Sequence, residues 1–409
     1  MSNARDRQLD GLRAIAVSLV LYAHFFAAHD TYWGHIGVRL FFVMSGFLIT
    51  RLLLDARTAS EFQPVIALKS FYARRALRIF PPYFAMLGFV WLVNLEQSRS
   101  SLLWHALYVS NFWYAIRDEW TPWLLCHTWS LSIEEQFYVV WPLIILLAPR
   151  RAIEQICVSA VVLSLAYRFY WPVTGPPSLA RDLLPPASMD ALAAGAWLAA
   201  YRARTAVWPR WMQLGWAPLA AAFLVLLWLD PGPGPSMQEW VRWIGMEVFP
   251  LVPLVMIVGR CASGSGWRLG RLLEQRPLVA VGTISYGIYL LHPIVLSAIV
   301  KAQPWIPLNV SEQGPGRLLI GATGTLMLAT VSWLLFERRI NALKRYFPYV
   351  PAKDRTGAGA FSNAIRPFGW LGESADAGAA AYLADPAANR VDRRKVFRGS
   401  GSATHRSRV

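Results

Sequence analysis

The chain has 409 residues, 55% of them hydrophobic and only 16% charged, with a net charge of +16. Soluble domains carry roughly 25% charged residues, so this composition excludes an ordinary soluble enzyme. The cations fall between apolar runs rather than along one face, which assigns the charge to membrane-flanking loops and not to nucleic acid.

From the N-terminus, the polar MSNARDRQLDGLR runs into the first apolar segment without a small-residue cleavage site, so no cleavable signal peptide is expected. A membrane span needs about 20 mostly apolar residues. That length places spans near 11–29, 36–54, 80–96, 133–149, 153–171, 183–201, 213–230, 244–260, 279–300 and 316–336. The expected fold is therefore all-α, a polytopic membrane bundle of about ten helices. The stretch 101–116, SLLWHALYVSNFWYAI, is short and carries His105 and Asn111, so it reads as an interfacial or re-entrant helix. With the N-terminus in the cytoplasm, ten spans put Arg74, Arg75, Arg78, Arg150, Arg151, Arg202, Arg204, Arg338 and Arg339 inside. Asp30, Asp118, Glu119 and Asp230 then lie outside. An eleventh span at 101–116 would reverse every later loop. Both termini are thus expected in the cytoplasm. Residues 1–350 read as the membrane domain and 351–409 as a disordered, basic cytoplasmic tail able to touch anionic lipid. Cys126, Cys157 and Cys261 form no disulfide framework and no metal-binding spacing, so no metal is expected.

Ionisable residues within spans are costly and mark candidate sites. In the first span Arg13 and His24 are eleven residues apart, on one face of a regular helix and separated by about 16 Å. Such a pair suits an extended ligand with an anionic end at Arg13 and a reactive end at His24. In FYARRALRIFPPYF (71–84), Arg75 and Arg78 either gather phosphate through forked hydrogen bonds or simply enforce orientation. Pro81 and Pro82 are expected to mark the turn into the third span. In HTWSLSIEEQFYVVWPL (127–143), Glu134 and Glu135 either stabilise a helix N-terminus or reach for an imidazole or hydroxyl, on the face opposite the arginines. ISYGIYLLHPI (284–294) buries Ser285, Tyr286 and His292, with packing the plainer role for each, and a kink is expected at Pro293.

In chain order, LDGLRAIAVSLVLYAHFF, GVRLFFVMSGFLIT, FYARRALRIFPPYF, WSLSIEEQFYVVWPL, SMDALAAGAWLA, ISYGIYLLHP and SWLLFERRI resemble the segments of the acyltransferase family 3 of membrane proteins. Its members O-acylate surface polysaccharides, lipopolysaccharide and some small molecules, and the resemblance extends over residues 8–345. It implies an inner-membrane enzyme that takes an acyl group, acetyl before succinyl, from cytoplasmic acyl-CoA to a carbohydrate or lipid-linked glycan acceptor. No permanently bound cofactor is implied, and the oligomeric state stays open. The resemblance makes His24 the essential histidine, Arg13 its partner, Arg75 and Arg78 the Arg-x-x-Arg pair, and Glu134, with Glu135 beside it, the family acid. It also matches Asp190, Ser285, Tyr286, His292 and Glu337 to recurrent polar positions. The esterase-like domain appended to larger members is expected to be missing here, since 351–409 is too short for one.

The expected chemistry has donor phosphates on Arg75, Arg78 and Arg13 and the thioester at His24. There the imidazole serves as general base or as nucleophile. The rival class is a transporter or flippase relaying protons through His and Glu; within the enzyme class, a small-molecule acceptor is the alternative.

Overall fold

The computed structural model describes residues 4–27, 32–174, 178–206, 208, 249–264, 266–305 and 313–349. Among them, seven helices are long and apolar enough to cross a membrane. The expected span at 213–230 and the tail at 351–409 lie outside the described residues.

The elements follow the apolar runs. Helix α1 covers Ala4–Leu21 and widens into a π turn over Tyr22–Phe26. Then come α2 (Tyr32–Ala56) and α3 (Pro64–Val93). The 101–116 stretch is no crossing helix: it breaks into α4 (Leu102–Ala106) and α5 (Ser110–Arg117). Helix α6 spans Thr128–Leu147, α7 Arg150–Thr174, α8 Ala180–Leu183 and α9 Pro186–Thr205. Beyond these lie α10 (Leu251–Ser263), α11 (Arg268–Leu273), α12 (Arg276–Thr283), α13 (Ser285–Ala302) and α14 (Pro315–Ser332). A second π turn, Trp333–Glu337, prolongs α14, and the short α15 (Arg338–Ala342) follows.

Two sequence expectations are corrected here. Pro81 and Pro82 do not mark a turn, because α3 begins with Pro64 at its first turn and runs through both later prolines. Arg75 and Arg78 therefore lie eleven and fourteen residues along the helix, about 16 and 21 Å from its start, and not ahead of it. Membrane helices tolerate such prolines because neighbouring groups satisfy the freed backbone. Between α13 and α3, the Tyr286 hydroxyl donates to the Ile79 carbonyl at 3.1 Å. The expected single span 279–300 is in fact two helices, parted at Ile284, so that Ser285 and Tyr286 open α13.

Close backbone contacts lock the bundle. A Cβ on Gly46 of α2 would stand 1.9 Å from the Leu192 carbonyl oxygen, and one on Gly195 of α9 would stand 2.0 Å from that of Val43. Small residues let two helices approach this closely where lipid offers no hydrophobic drive for association. The same pair of helices shares a buried ion pair, Arg39 to Asp190 at 2.6 Å.

Candidate active site

Helices α1, α2, α3, α6 and α13 wall one partly open cavity. Its cations are Arg13 from α1 and Arg75 and Arg78 from α3. Helix α6 adds Glu134, Glu135 and Tyr138, and α13 adds Ser285, Tyr286 and Tyr289. Helix α2 closes the space with Val38, Phe41, Phe42, Met44 and Leu48 around Ser45. Seven of the residues singled out from the sequence thus meet in one place. One expectation about them is overturned: Glu134 and Glu135 do not face away from the arginines but share their cavity. The reason is the early start of α3, which carries its arginines inward, while α6 brings its carboxylates from the second turn.

Side-chain bonds fix the polar groups. Arg13 is paired with Asp10 at 2.7 Å on its own helix. The Arg75 guanidinium lies over the Tyr138 ring, 4.8 Å from its centroid. Tyr138 donates its hydroxyl proton to Glu134, and the Ser45 hydroxyl, 2.5 Å away, donates in turn to the Tyr138 oxygen. Glu134 is therefore held at the end of a short chain of hydroxyls. Arg74 faces elsewhere, onto the carbonyls of Lys344 and Phe347 at 2.9 and 3.1 Å.

His24 is not among the residues lining the cavity. The π turn rotates each residue by less than the 100° of an α-helix, which breaks the simple facing of Arg13 and His24. His24 instead joins two other histidines. Its ring centroid is 4.7 Å from that of His292, and His127 is 5.3 Å from His292. Tyr289 adjoins this group, 5.6 Å from His127 and 5.7 Å from His292, while also lining the cavity. Its hydroxyl lies 2.6 Å from that of Ser130, another cavity residue. The Nδ1 of His24 is 2.8 Å from the Val20 carbonyl oxygen. A carbonyl only accepts, so Nδ1 carries the proton and the lone pair of the neutral ring sits on Nε2.

An acyltransferase domain model matches residues 6–337, which takes in every side chain of the cavity and the histidine group. The chain belongs to this acyltransferase family. It is 27% identical over 371 residues to the peptidoglycan O-acetyltransferase OatA of Listeria monocytogenes, covering 83% of this chain and 56% of that protein. It is 30% identical over 369 residues to the putative peptidoglycan O-acetyltransferase YrhL of Bacillus subtilis, covering 81% and 54%. A putative O-acetyltransferase of Staphylococcus aureus is 28% identical over 388 residues, covering 84% and 59%. The chain thus spans a little over half the length of these relatives. No solved structure gives a significant match.

Two further positions of the acyltransferase expected at the site lie apart from the cavity lining. Asp190 is fully buried against Arg39, with Arg168 3.9 Å away, and accepts nothing from the cavity. Glu337 is buried in the second π turn, where the Ser332 hydroxyl donates to it at 2.5 Å. It packs behind Gly287, one residue beyond Tyr286 of the wall. Sequence reasoning missed Asp10, Ser45, Tyr138, Tyr289 and His127. Two signals were available, the i,i+3 spacing of Asp10 and Arg13 and the i,i+4 spacing of Glu134 and Tyr138, since residues three or four apart on a helix are neighbours.

Proposed function

We propose that this acyltransferase moves an acetyl group from acetyl-CoA to a hydroxyl of an extracytoplasmic glycan of the peptidoglycan type. The single observation that carries the reading is the junction at Tyr289. Tyr289 lines the cavity that holds three arginines and also adjoins His127 and His292 of the His24 group.

In this reading Arg13, Arg75 and Arg78 bind the phosphates of the donor through charge-assisted, forked hydrogen bonds. The apolar face of α2 takes the pantetheine arm, and the thioester reaches past Tyr289 to His24. The His24 Nε2 takes the proton of the acceptor hydroxyl as its oxygen attacks the thioester carbonyl carbon. The carbon–sulfur bond breaks, and the imidazolium returns the proton to the departing thiolate. The products are an O-acetyl ester and free coenzyme A. Glu134, held by Tyr138, orients the donor beside Arg75. Trapping labelled acetyl on His24 after a rapid quench would replace this route with a covalent one.

The acceptor is tested by mass analysis of wall glycan from a strain lacking the gene. The expected result is loss of the acetyl mass increment on the sugars. An unchanged glycan overturns the acceptor assignment.

A further inference from the structure

His127 and His292 have no part in the chemistry above, yet both are buried beside His24, at 4% and 0% exposure. Each is anchored by one ring nitrogen to a backbone carbonyl of α13. His292 Nδ1 is 2.6 Å from the Tyr289 oxygen, and His127 Nε2 is 3.2 Å from that of Leu290. The first bond has a cause in sequence. The Tyr289 carbonyl would accept from the N–H of residue 293, which is proline and has none. Carbonyls only accept, so the anchored nitrogens carry the protons. The lone pairs of the neutral rings are then on His127 Nδ1 and His292 Nε2. Both atoms are buried without a hydrogen-bond partner among the described residues.

A buried acceptor without a partner is destabilising, so two adjoining ones point to a ligand that fills them. The ligand that satisfies them must bring protons. At the reacting end of the donor the thioester sulfur and carbonyl bring none; the hydroxyls of the acceptor do. Burial, with His24 and His105 nearby, holds His127 neutral by lowering its pKa to about 3, so its lone pair stays open to a hydroxyl. The half-buried Trp123 indole, 6.4 Å from the His24 ring, adds an apolar face of the kind on which a sugar ring rests.

We propose that His127 and His292 form the acceptor subsite, binding sugar hydroxyls through His127 Nδ1 and His292 Nε2 and presenting one of them to His24. The proposal rests on the acetyl-transfer reading, and both are tested together with purified protein, acetyl-CoA and soluble peptidoglycan glycan strands. Asparagine places an amide atom where histidine has Nδ1, and glutamine where it has Nε2. His127→Asn and His292→Gln therefore keep the hydroxyl-binding atom and lose the anchor. His127→Gln and His292→Asn keep the anchor and lose the hydroxyl-binding atom.

The subsite predicts that H127Q and H292N raise the KM for glycan about tenfold without a matching rise for acetyl-CoA, while H127N and H292Q stay closer to the parent. A purely structural role predicts the reverse order, with the anchor-keeping pair the better enzymes, and that order overturns the subsite. Equal effects on both KM values overturn it as well. If the parent protein transfers nothing to the glycan, the acetyl-transfer reading fails and the subsite falls with it.

Discussion

Arg78 is a cavity residue for which no hydrogen-bonded carboxylate appears among the described side chains, unlike Arg13 on Asp10. In the proposed reading its partner is a donor phosphate. Hydrogen bonds to charged groups contribute about 1.5–3 kcal/mol, so Arg78→Ala should raise the KM for acetyl-CoA roughly 10- to 150-fold. Steady-state kinetics at fixed glycan measure this, and an unchanged KM removes Arg78 from the donor site. His105 makes a different kind of statement. It is fully buried, its Nδ1 lies 2.8 Å from the Thr128 hydroxyl, and burial lowers its pKa to about 3. In the unfolded chain the value is about 6.5. Between those limits the unfolded state holds a proton that the folded state refuses, so stability present above about pH 6.5 falls as the pH drops. His105→Asn, which keeps a group for Thr128 but cannot titrate, should flatten the fall of the unfolding midpoint between pH 6.5 and 4.5. Parallel curves for the two proteins would contradict a neutral buried His105.

At the scale of elements, hydropathy alone located most of the helices, because lipid demands long apolar runs whatever their partners. It misplaced the start of α3. The basic 71–80 segment reads as a helical turn ahead of a span, and Pro81 and Pro82 read as the turn between them, yet one helix runs from Pro64 through both prolines to Val93. That one displacement hid the meeting of arginines and glutamates, which depends on how α3 and α6 pack and not on either sequence. His127 and Tyr289 were illegible for a similar reason. Their importance comes from neighbours more than 150 residues away, His127 on the Leu290 carbonyl and the Tyr289 hydroxyl on that of His127. Asp190 shows the converse. A lone acid in a span is legible as special, but its partner Arg39, 151 residues away, makes it a tie between α2 and α9. Removing one partner of a buried pair costs about 3–5 kcal/mol. Asp190→Ala should lower the thermal unfolding midpoint of the purified protein markedly, with its yield. A midpoint equal to the parent's would mean that the pair does not hold these helices.

Across the whole molecule, the buried polar residues separate by task. Arg39, Asp190 and Arg168 join helices away from the cavity, while Arg13, Arg75, Arg78 and Glu134 line it. Tyr289 touches both the cavity and the histidine group, and the proposed transfer depends on that junction. The most direct test of this arrangement is transfer of radiolabelled acetyl from acetyl-CoA to peptidoglycan glycan by purified parent and His24→Ala proteins, matched for folding by their elution profiles. The account predicts alkali-labile label in the glycan with the parent and none above background with His24→Ala. Equal labelling by the two proteins would contradict it.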